Sequence, residues 1–281
     1  MHETAKSFMK QGDYANAILV LNRAVALEPS NTSLSKDLAL SYYFHTQFGK
    51  ALEVVKPMLE RDDADDQTYQ VAAYIYKSLN MPDEAKKVLK KGIRKIPDSG
   101  ALYNELGEIL WAQKDADAIK EWEKGIETDA SFSKNYYNAA KYYYLTTDKS
   151  WSILYGEIFL NMEPFSNKTP EIKDILLESY KKLFSDANMG QKNQYNNFEN
   201  AYLESMNRQS VVTGAGINPE SLTMIRTRFI LDWFAEKRPP FKLFDYHRQL
   251  LQEGLFDAYN QWIFGSAQNL SSFQNWIIGR P

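Results

Sequence analysis

Hydrophobic and small residues in the first 166 positions recur with a period close to 34 residues. Small residues show the period most clearly, because they form two parallel series along this part of the chain. Aromatic residues and helix-breaking prolines keep the same phase. The pattern predicts pairs of helices repeated along the chain. The first series is Ala5, Ala39, Ala73, Gly107 and Ala140, and the second is Ala17, Ala51, Ala85, Ala118 and Ser152.

The physics of a helix hairpin explains both series. Two antiparallel helices approach closely only where each carries a small side chain, so every unit needs one small residue per helix. Pro29, Pro97 and Pro164 end second helices, because proline lacks the N–H and clashes with the preceding turn. The fourth unit is one residue short, and we place the deletion in its turn, between Leu110 and Ala118. The predicted units are 1–31, 32–65, 66–99, 100–132 and 133–166.

The segment GDYANAILVLNRAVALEP, from Gly12 to Pro29, has glycine, an aromatic residue, two alanines and proline in a familiar order. It resembles the tetratricopeptide-repeat (TPR) family. The resemblance implies an all-α superhelix of about five helix-turn-helix repeats. Met1 falls inside the first repeat, and the chain is also similar to exported TPR proteins of Gram-negative bacteria. We therefore expect a periplasmic protein whose signal peptide has been removed, with a cytoplasmic location as the alternative.

After Pro164 the period fades. We predict a TPR array over 1–166, with its first repeat truncated, and an α-helical cap region over 167–281. Helices are expected at 169–184 and 198–206, and Val211–Glu220 is expected to be a loop before a helix opened by Pro219. The phrase LLQEGLFDAY resembles the turn of a repeat, so Phe241–Ala267 is interpreted as a degenerate terminal unit.

The cap region is rich in aromatic residues, and two interpretations stay open. The rings either form a core that hides the last apolar face of the array, or an exposed patch that binds a partner. They are Trp233, Phe234, Phe241, Phe244, Tyr246, Phe256, Tyr259, Trp262, Phe264, Phe273 and Trp276.

Composition narrows the chemistry. The net charge is −3 with both signs mixed, so nucleic acid is a poor partner. The chain has no cysteine and three histidines, and no apolar run is long enough to span a bilayer. Phosphate-loop, dinucleotide, metalloprotease and serine-hydrolase motifs are missing from the sequence. Asp245 and His247 stand two residues apart and would not face each other on a helix. We expect no catalytic site, no cofactor and no metal.

In TPR arrays the first helix of each repeat lines the concave groove, so the resemblance implies which positions meet a ligand. A groove of rings, lysines and an amide suits an extended or helical peptide. The alternative, that some rings pack against neighbouring helices, stays open. The peptide-binding residues predicted in this way are Lys36, Tyr43, Tyr74, Lys77, Asn104, Trp111, Tyr137, Lys141 and Tyr144.

One TPR subclass clamps the C-terminal carboxylate of chaperone tails with lysines and asparagines at fixed positions. Neither register fits here, since Leu40, Tyr74 and Glu105 stand where the clamp needs other residues. Chaperone tails are therefore not expected. The leading hypothesis is a non-enzymatic scaffold that binds a protein or peptide. The alternative is a glycan- or small-ligand-binding protein that uses the aromatic cap region and the Asn/Gln-rich stretch at 188–197.

Overall fold

The computed structural model describes residues 1–146, 148–185 and 196–279, and these contain helices but no strand. The predicted all-α repeat class is confirmed. The chain divides into two compact units, residues 1–135 and 136–281, which we describe separately. This division groups most of the predicted fifth repeat with the second unit. The helices that begin in the first unit are α1 (His2–Lys10), α2 (Tyr14–Leu27), α3 (Thr32–Phe44), α4 (Phe48–Met58), α5 (Asp66–Ser78), α6 (Pro82–Lys95), α7 (Gly100–Ala112), α8 (Ala118–Thr128) and α9 (Ser133–Leu145).

The turns of the first unit repeat one backbone device. A residue with positive φ ends each first helix, and the N–H that follows it donates to the carbonyl five residues earlier. The positive-φ residues are Gly12, Thr46, Asn80 and Lys114, with φ of 75°, 60°, 56° and 60°. The bonds run from Asp13 to Phe8 (2.9 Å), Gln47 to Tyr42 (2.8 Å), Met81 to Tyr76 (2.8 Å) and Asp115 to Leu110 (2.9 Å).

These turn residues locate the one-residue deletion of the fourth repeat. Lys114 keeps the 34-residue spacing from Asn80, whereas Ala118 follows Ala85 by one residue less. The missing residue therefore lies between Lys114 and Ala118, within the interval predicted from sequence. A change there alters the turn and leaves the apolar faces of α7 and α8 in phase.

Small residues allow the helices of each hairpin to cross closely. Ala5, Ala17, Ala39 and Ala51 have no exposed surface. A Cβ added at Gly107 would overlap the indole of Trp122, and this indole N–H donates to the Asn104 carbonyl (3.3 Å). The small series is therefore a packing requirement, as the spacing predicted.

The second unit continues the all-α architecture. Two of its helices begin at the expected Thr169 and Pro219, and Asn218 caps the latter by accepting a hydrogen bond from the Ser221 N–H (2.9 Å). Residues 188–195 of the Asn/Gln-rich stretch lie outside the described residues. The helices are α10 (Lys149–Met162), α11 (Thr169–Ser185), α12 (Asn197–Asn207), α13 (Pro219–Ala235), α14 (Lys242–Gln252), α15 (Phe256–Gln268) and α16 (Leu270–Ile278).

One segment differs from its prediction. Part of the expected loop over Val211–Glu220 belongs to a 3₁₀ helix, Arg208–Ala215. The backbone of Arg208, at the end of α12, keeps right-handed helical dihedral angles. The chain therefore continues as the tighter 3₁₀ helix and does not form a loop at this point. Gly216, with φ of 88°, then stops the tighter helix.

The turn between α14 and α15 repeats the device of the first unit. Gly254 has φ of 71°, and the Leu255 N–H donates to the Leu250 carbonyl (2.8 Å). The predicted degenerate repeat at 241–267 therefore shares its turn geometry with the array. Five of the eleven rings predicted to form either a core or a patch are buried, including Trp233, Phe244 and Phe264, each at most 2% exposed. Five others are partly exposed, and Tyr246 is 41% exposed.

Candidate functional site

The first helices of the first unit form a continuous surface. Helices α1, α3, α5 and α7 contact one another in that order. Among the described residues of this unit, successive second helices do not contact one another to that extent. Each second helix packs instead against first helices. A stack whose first helices lie closer together than its second helices curves towards the first helices. We call the surface formed by α1, α3, α5 and α7 the inner face; it is the concave side of this unit.

Partly exposed aromatic rings mark the inner face. Tyr43 and Tyr74, on successive first helices, have ring centroids 6.4 Å apart. Phe44, half exposed beside them, stacks on Tyr14 at 5.1 Å. Trp111 on α7 is 40% exposed, and its ring lies 6.2 Å from that of Trp122. The predicted rings of this unit are therefore neither fully buried nor isolated, because each rests on another ring while presenting surface.

The predicted lysines of the inner face pair with acidic residues that cap or belong to the next first helix. Lys36 Nζ lies 2.5 Å from Asp65 Oδ2 and 3.2 Å from Gln67 Oε1. Lys77 Nζ lies 3.7 Å from Glu105 Oε2 and 4.0 Å from Glu108 Oε2. The Lys77 pairs are thus longer than a hydrogen bond, whereas the Lys36 pair is short.

Glu105 lies on α7 and faces Tyr74 of α5, and it was not among the ligand-binding residues predicted from the sequence. Its side chain is buried, and its Oε1 accepts a hydrogen bond from the Tyr74 hydroxyl (2.8 Å). Burial raises the pKa of this carboxyl, and the nearby Glu108 carboxylate adds to the effect. Burial likewise raises the pKa of Tyr74, so its phenol stays protonated and donates.

Asn104 supports this site and does not present a free amide to solvent. It is 1% exposed, and its Nδ2 donates to Glu108 Oε1 (3.3 Å). Its position was predicted to bind peptide, and the structure shows the amide orienting a neighbouring carboxylate.

The predicted site residues of the second unit form a separate group. The Tyr137 hydroxyl donates to Glu171 Oε2 (2.6 Å), and Lys141 Nζ lies 2.7 Å from Glu171 Oε1. Tyr144 is partly exposed, with Lys182 Nζ 4.2 Å from its ring centroid. Lys141, Tyr144 and Glu171 line a cavity of about 320 Å³, together with Leu145, Asp174, Ile175 and Glu178.

A buried polar cluster in the second unit was missed by sequence reasoning. Glu157 and Arg226, 1% and 2% exposed, form an ion pair. His247 Nε2 lies 2.7 Å from Glu157 Oε1, and the Tyr259 hydroxyl donates to the same oxygen (2.9 Å). Burial opposes ionisation of Glu157, but the Arg226 and His247 charges outweigh it and lower the pKa of Glu157 to about 2, whereas burial lowers the pKa of His247. We call these four residues the buried cluster.

The buried cluster has the composition of a catalytic site but not its accessibility. The cavity beside it has a volume of about 10 Å³, too small for a substrate. His247 pairs with Glu157, which lies on α10, and not with Asp245. The spacing of Asp245 and His247 in the sequence therefore did not indicate the true partner of the histidine.

An open cleft lies elsewhere in the second unit. It has a volume of about 710 Å³ and mostly apolar walls. Its one amide, Asn161, uses Nδ2 to donate to the Glu157 carbonyl (2.9 Å) and the Tyr259 hydroxyl (2.7 Å). The walls are Tyr136, Ile158, Asn161, Met162, Pro240, Phe241, Lys242, Leu243 and Tyr246.

Metal-binding clusters and membrane-spanning helices are both absent from the part of the chain that the structure describes. No group of three or more histidine, aspartate or glutamate side chains there is arranged to hold a metal ion. Within the same ranges, no helix combines the length and apolar character needed to cross a membrane.

The hairpin stack of the first unit defines a helical-repeat protein. The tetratricopeptide repeat family model matches residues 3–31 and 66–98, which supports the TPR family for this chain. These segments are the first and third repeats of the first unit. No curated protein matches the chain. The comparisons indicate no enzyme family.

Solved structures of TPR proteins are similar to this chain. TTC0263, a TPR protein of Thermus thermophilus, is 17% identical with a TM-score of 0.49, covering 65% of this chain and 96% of that one. A TPR protein from Parabacteroides merdae is 14% identical with a TM-score of 0.48, covering 91% and 96%. YrrB, described as a TPR protein with an unusual peptide-binding site, is 14% identical with a TM-score of 0.43, covering 64% and 90%.

Proposed function

We propose that this chain is a non-enzymatic scaffold that binds a peptide segment of a partner protein on the inner face of its first unit. The observation that carries the proposal is the set of partly exposed rings at Tyr43, Tyr74 and Trp111. Rings held by other rings lose little conformational entropy when they bind, and they supply large contact area. Polar groups beside them at Lys77 and Glu108 can orient a peptide.

The proposal keeps the location expected from the resemblance, an exported and periplasmic one. Fractionation of the native host with an antibody to the chain tests this part. Recovery in the cytoplasmic fraction alone would contradict it and would leave the peptide-binding proposal unaffected.

A random-peptide display library selected on the immobilised full chain tests peptide binding. Selected peptides are synthesised with a fluorophore, and their affinities are measured by anisotropy. The double variant Tyr43→Ala with Trp111→Ala is expected to weaken binding at least tenfold. The reason is that truncation of a central aromatic residue in an interface typically costs about 2 kcal/mol or more. Leu19→Ala is the control, since Leu19 is 61% exposed and lies on α2, which is not part of the inner face. Equal affinity of the double variant and the wild type would sink the proposal.

The open cleft of the second unit favours a second candidate, the binding of a small apolar ligand. Its volume of about 710 Å³ and its apolar walls suit such a molecule. A glycan fits less well, because the Asn161 amide already donates within the protein. Native mass spectrometry of the purified chain, and binding of an apolar dye to wild type and Tyr246→Ala, test this candidate. Unchanged dye binding in the variant would remove the cleft from consideration.

A further inference from the structure

A buried carboxylate oxygen on the inner face lacks a hydrogen-bond donor. Glu105 is 4% exposed; its Oε1 accepts from Tyr74, whereas its Oε2 has no hydrogen-bond partner among the described residues. Buried carboxylate oxygens are normally hydrogen-bonded, because an unmade bond at a charged group is costly. The oxygen therefore marks a place where a donor from outside the chain would be stabilised.

A second carboxylate lies one helical turn further along α7. Glu105 and Glu108 are three residues apart, so their side chains are neighbours on the surface of the helix. The Asn104 amide holds Glu108 Oε1 at 3.3 Å, which leaves Oε2 towards Lys77. Two carboxylates thus lie side by side on the inner face.

The cation now between these carboxylates is held loosely. Lys77 Nζ is 3.7 Å from Glu105 Oε2 and 4.0 Å from Glu108 Oε2, and its side chain is 37% exposed. It also lies 5.7 Å from the centroid of the Tyr74 ring. An ammonium is a compact point charge, whereas a guanidinium presents five donors in a planar fork and stacks on aromatic rings. A guanidinium can donate to both carboxylates at once.

We propose that the inner face reads arginine: a guanidinium of the bound peptide displaces the Lys77 ammonium, donates to Glu105 and Glu108, and lies against the Tyr74 ring. This inference rests on the proposed peptide-binding function and names the chemistry of the partner. The charged or titratable groups facing Glu105 are Tyr74, Lys77, Glu108 and Lys134. Of these, Lys77 is the cation that lies between the two carboxylates.

The same residues explain why an anionic ligand would be rejected. A C-terminal carboxylate placed here would meet two carboxylates of like charge, one of them buried. The site therefore has the opposite charge preference to the chaperone-tail clamp, whose positions the sequence also lacks.

The test uses peptides selected from the display library on the full chain. Each arginine in a selected peptide is replaced by citrulline, which keeps the shape and removes the charge, and by lysine. At the position that contacts Glu105 we expect citrulline to weaken binding about tenfold or more, and lysine to weaken it less. On the protein side, Glu105→Gln and Glu108→Gln should each erase the preference for arginine over citrulline. Glu53→Gln, an exposed carboxylate on α4, is the matched control and should keep it.

Lys77→Met gives an independent readout. Removal of the resident cation should tighten binding of arginine peptides several-fold while citrulline peptides change little. Circular dichroism establishes that each variant is folded, and Glu108→Gln keeps the test decisive if Glu105→Gln unfolds, because Glu108 is partly exposed.

The outcomes separate the inference from the function beneath it. Selected peptides that depend on Trp111 but show no arginine preference would overturn the inference and leave peptide binding in place. A library that yields no peptide whose binding depends on the inner face would overturn both. Arginine enrichment that is lost in Glu105→Gln or Glu108→Gln supports both.

Discussion

The two units of this chain hold their helices together by different means. In the first unit, small residues recur at every hairpin crossing and each contact joins a helix to the next one or two. In the second unit, the buried cluster joins α10, α13, α14 and α15 through a single carboxylate. A repeat array distributes its packing over similar interfaces, whereas the second unit joins four helices at one charged centre whose partners must all be present, because a buried charge without its partner is costly.

The largest expected effect comes from breaking that centre. Glu157→Gln leaves Arg226 buried without its counter-charge and should destabilise the second unit by about 3–5 kcal/mol. Hydrogen exchange followed by mass spectrometry should show lost protection in α10 and α13, with little change in α1–α6. Adding Arg226→Met to the same chain should restore most of the loss, because no unpaired charge is then buried.

The matching change in the first unit is Lys36→Met, which removes the pair with Asp65. The Asp65 side chain is 44% exposed, so we expect a loss below about 1 kcal/mol. Equal losses from Glu157→Gln and Lys36→Met would remove the contrast between the units.

The next largest effect is expected from acid, which should change the stability of the two units differently. The pKa of Glu157 is lowered to about 2 from 4.5, so its stabilisation is present above pH 4.5 and is lost as pH falls towards 2. The pKa of His247 is lowered from 6.5, so the unfolded chain takes up a proton first and acidification below pH 6.5 also destabilises the fold. A carboxyl with a shift of this size contributes on the order of 3 kcal/mol.

The contribution of Glu105 to the stability of the first unit changes with pH in the opposite direction. Its pKa is raised, so the folded state binds the proton more tightly and gains stability as pH falls through the raised pKa. Urea denaturation and hydrogen exchange from pH 7 to pH 3 should show α10 and α13 losing protection before α5 and α7. A first unit that opens earlier than the second in acid would contradict this assignment.

A smaller effect tests the crossings of the array. Gly107→Ala places a methyl group against the Trp122 indole and should cost about 1–3 kcal/mol in the first unit, since overpacking forces neighbouring groups to shift. Gly49→Ala is the control, because its new Cβ would meet nothing within 4 Å and alanine favours the helix. Thermal denaturation of both variants measures the difference, and equal transitions would show that the crossing is not tight.

The smallest effect concerns a turn. Thr46 adopts φ of 60°, which is unfavourable for a β-branched residue, while Gly12 occupies the equivalent position with φ of 75°. Thr46→Gly should stabilise the first unit by about 0.5–1 kcal/mol, as relief of steric strain exceeds the entropy lost by glycine. Gly12→Ala should shift stability the other way by a similar amount. Urea midpoints that move in the same direction for both variants would contradict this interpretation.

Periodicity made the first unit predictable. Helices α3, α5 and α7 begin at Thr32, Asp66 and Gly100, which are the predicted starts of repeats two, three and four. The reason is physical, since each crossing imposes the same small residue at the same phase. The inner-face rings were predicted from the resemblance to TPR arrays, but the partners of Lys36 and Lys77 were not predicted, because charge pairing depends on the direction of side chains between successive first helices.

The buried cluster could not be predicted for a related reason. Its members are isolated polar residues within otherwise ordinary amphipathic helices, and no spacing rule links them. Glu157 and Arg226 are 69 residues apart, so only the packed structure shows that they meet. The sequence offered one indication of the cluster, a charged residue at a helix position where the pattern expects an apolar one. Glu157, between Gly156 and Ile158, is such a residue.

The distance along the chain between members of the buried cluster has a consequence for synthesis. Tyr259 follows Glu157 by 102 residues, which a ribosome takes about 5–20 s to add. Each hairpin of the first unit can pack as soon as the next helix emerges. Glu157, in contrast, cannot form its bonds to Arg226 and Tyr259 until those residues have been synthesised. We therefore expect the second half of the chain to be the part that is exposed longest in an incompletely packed form during translation.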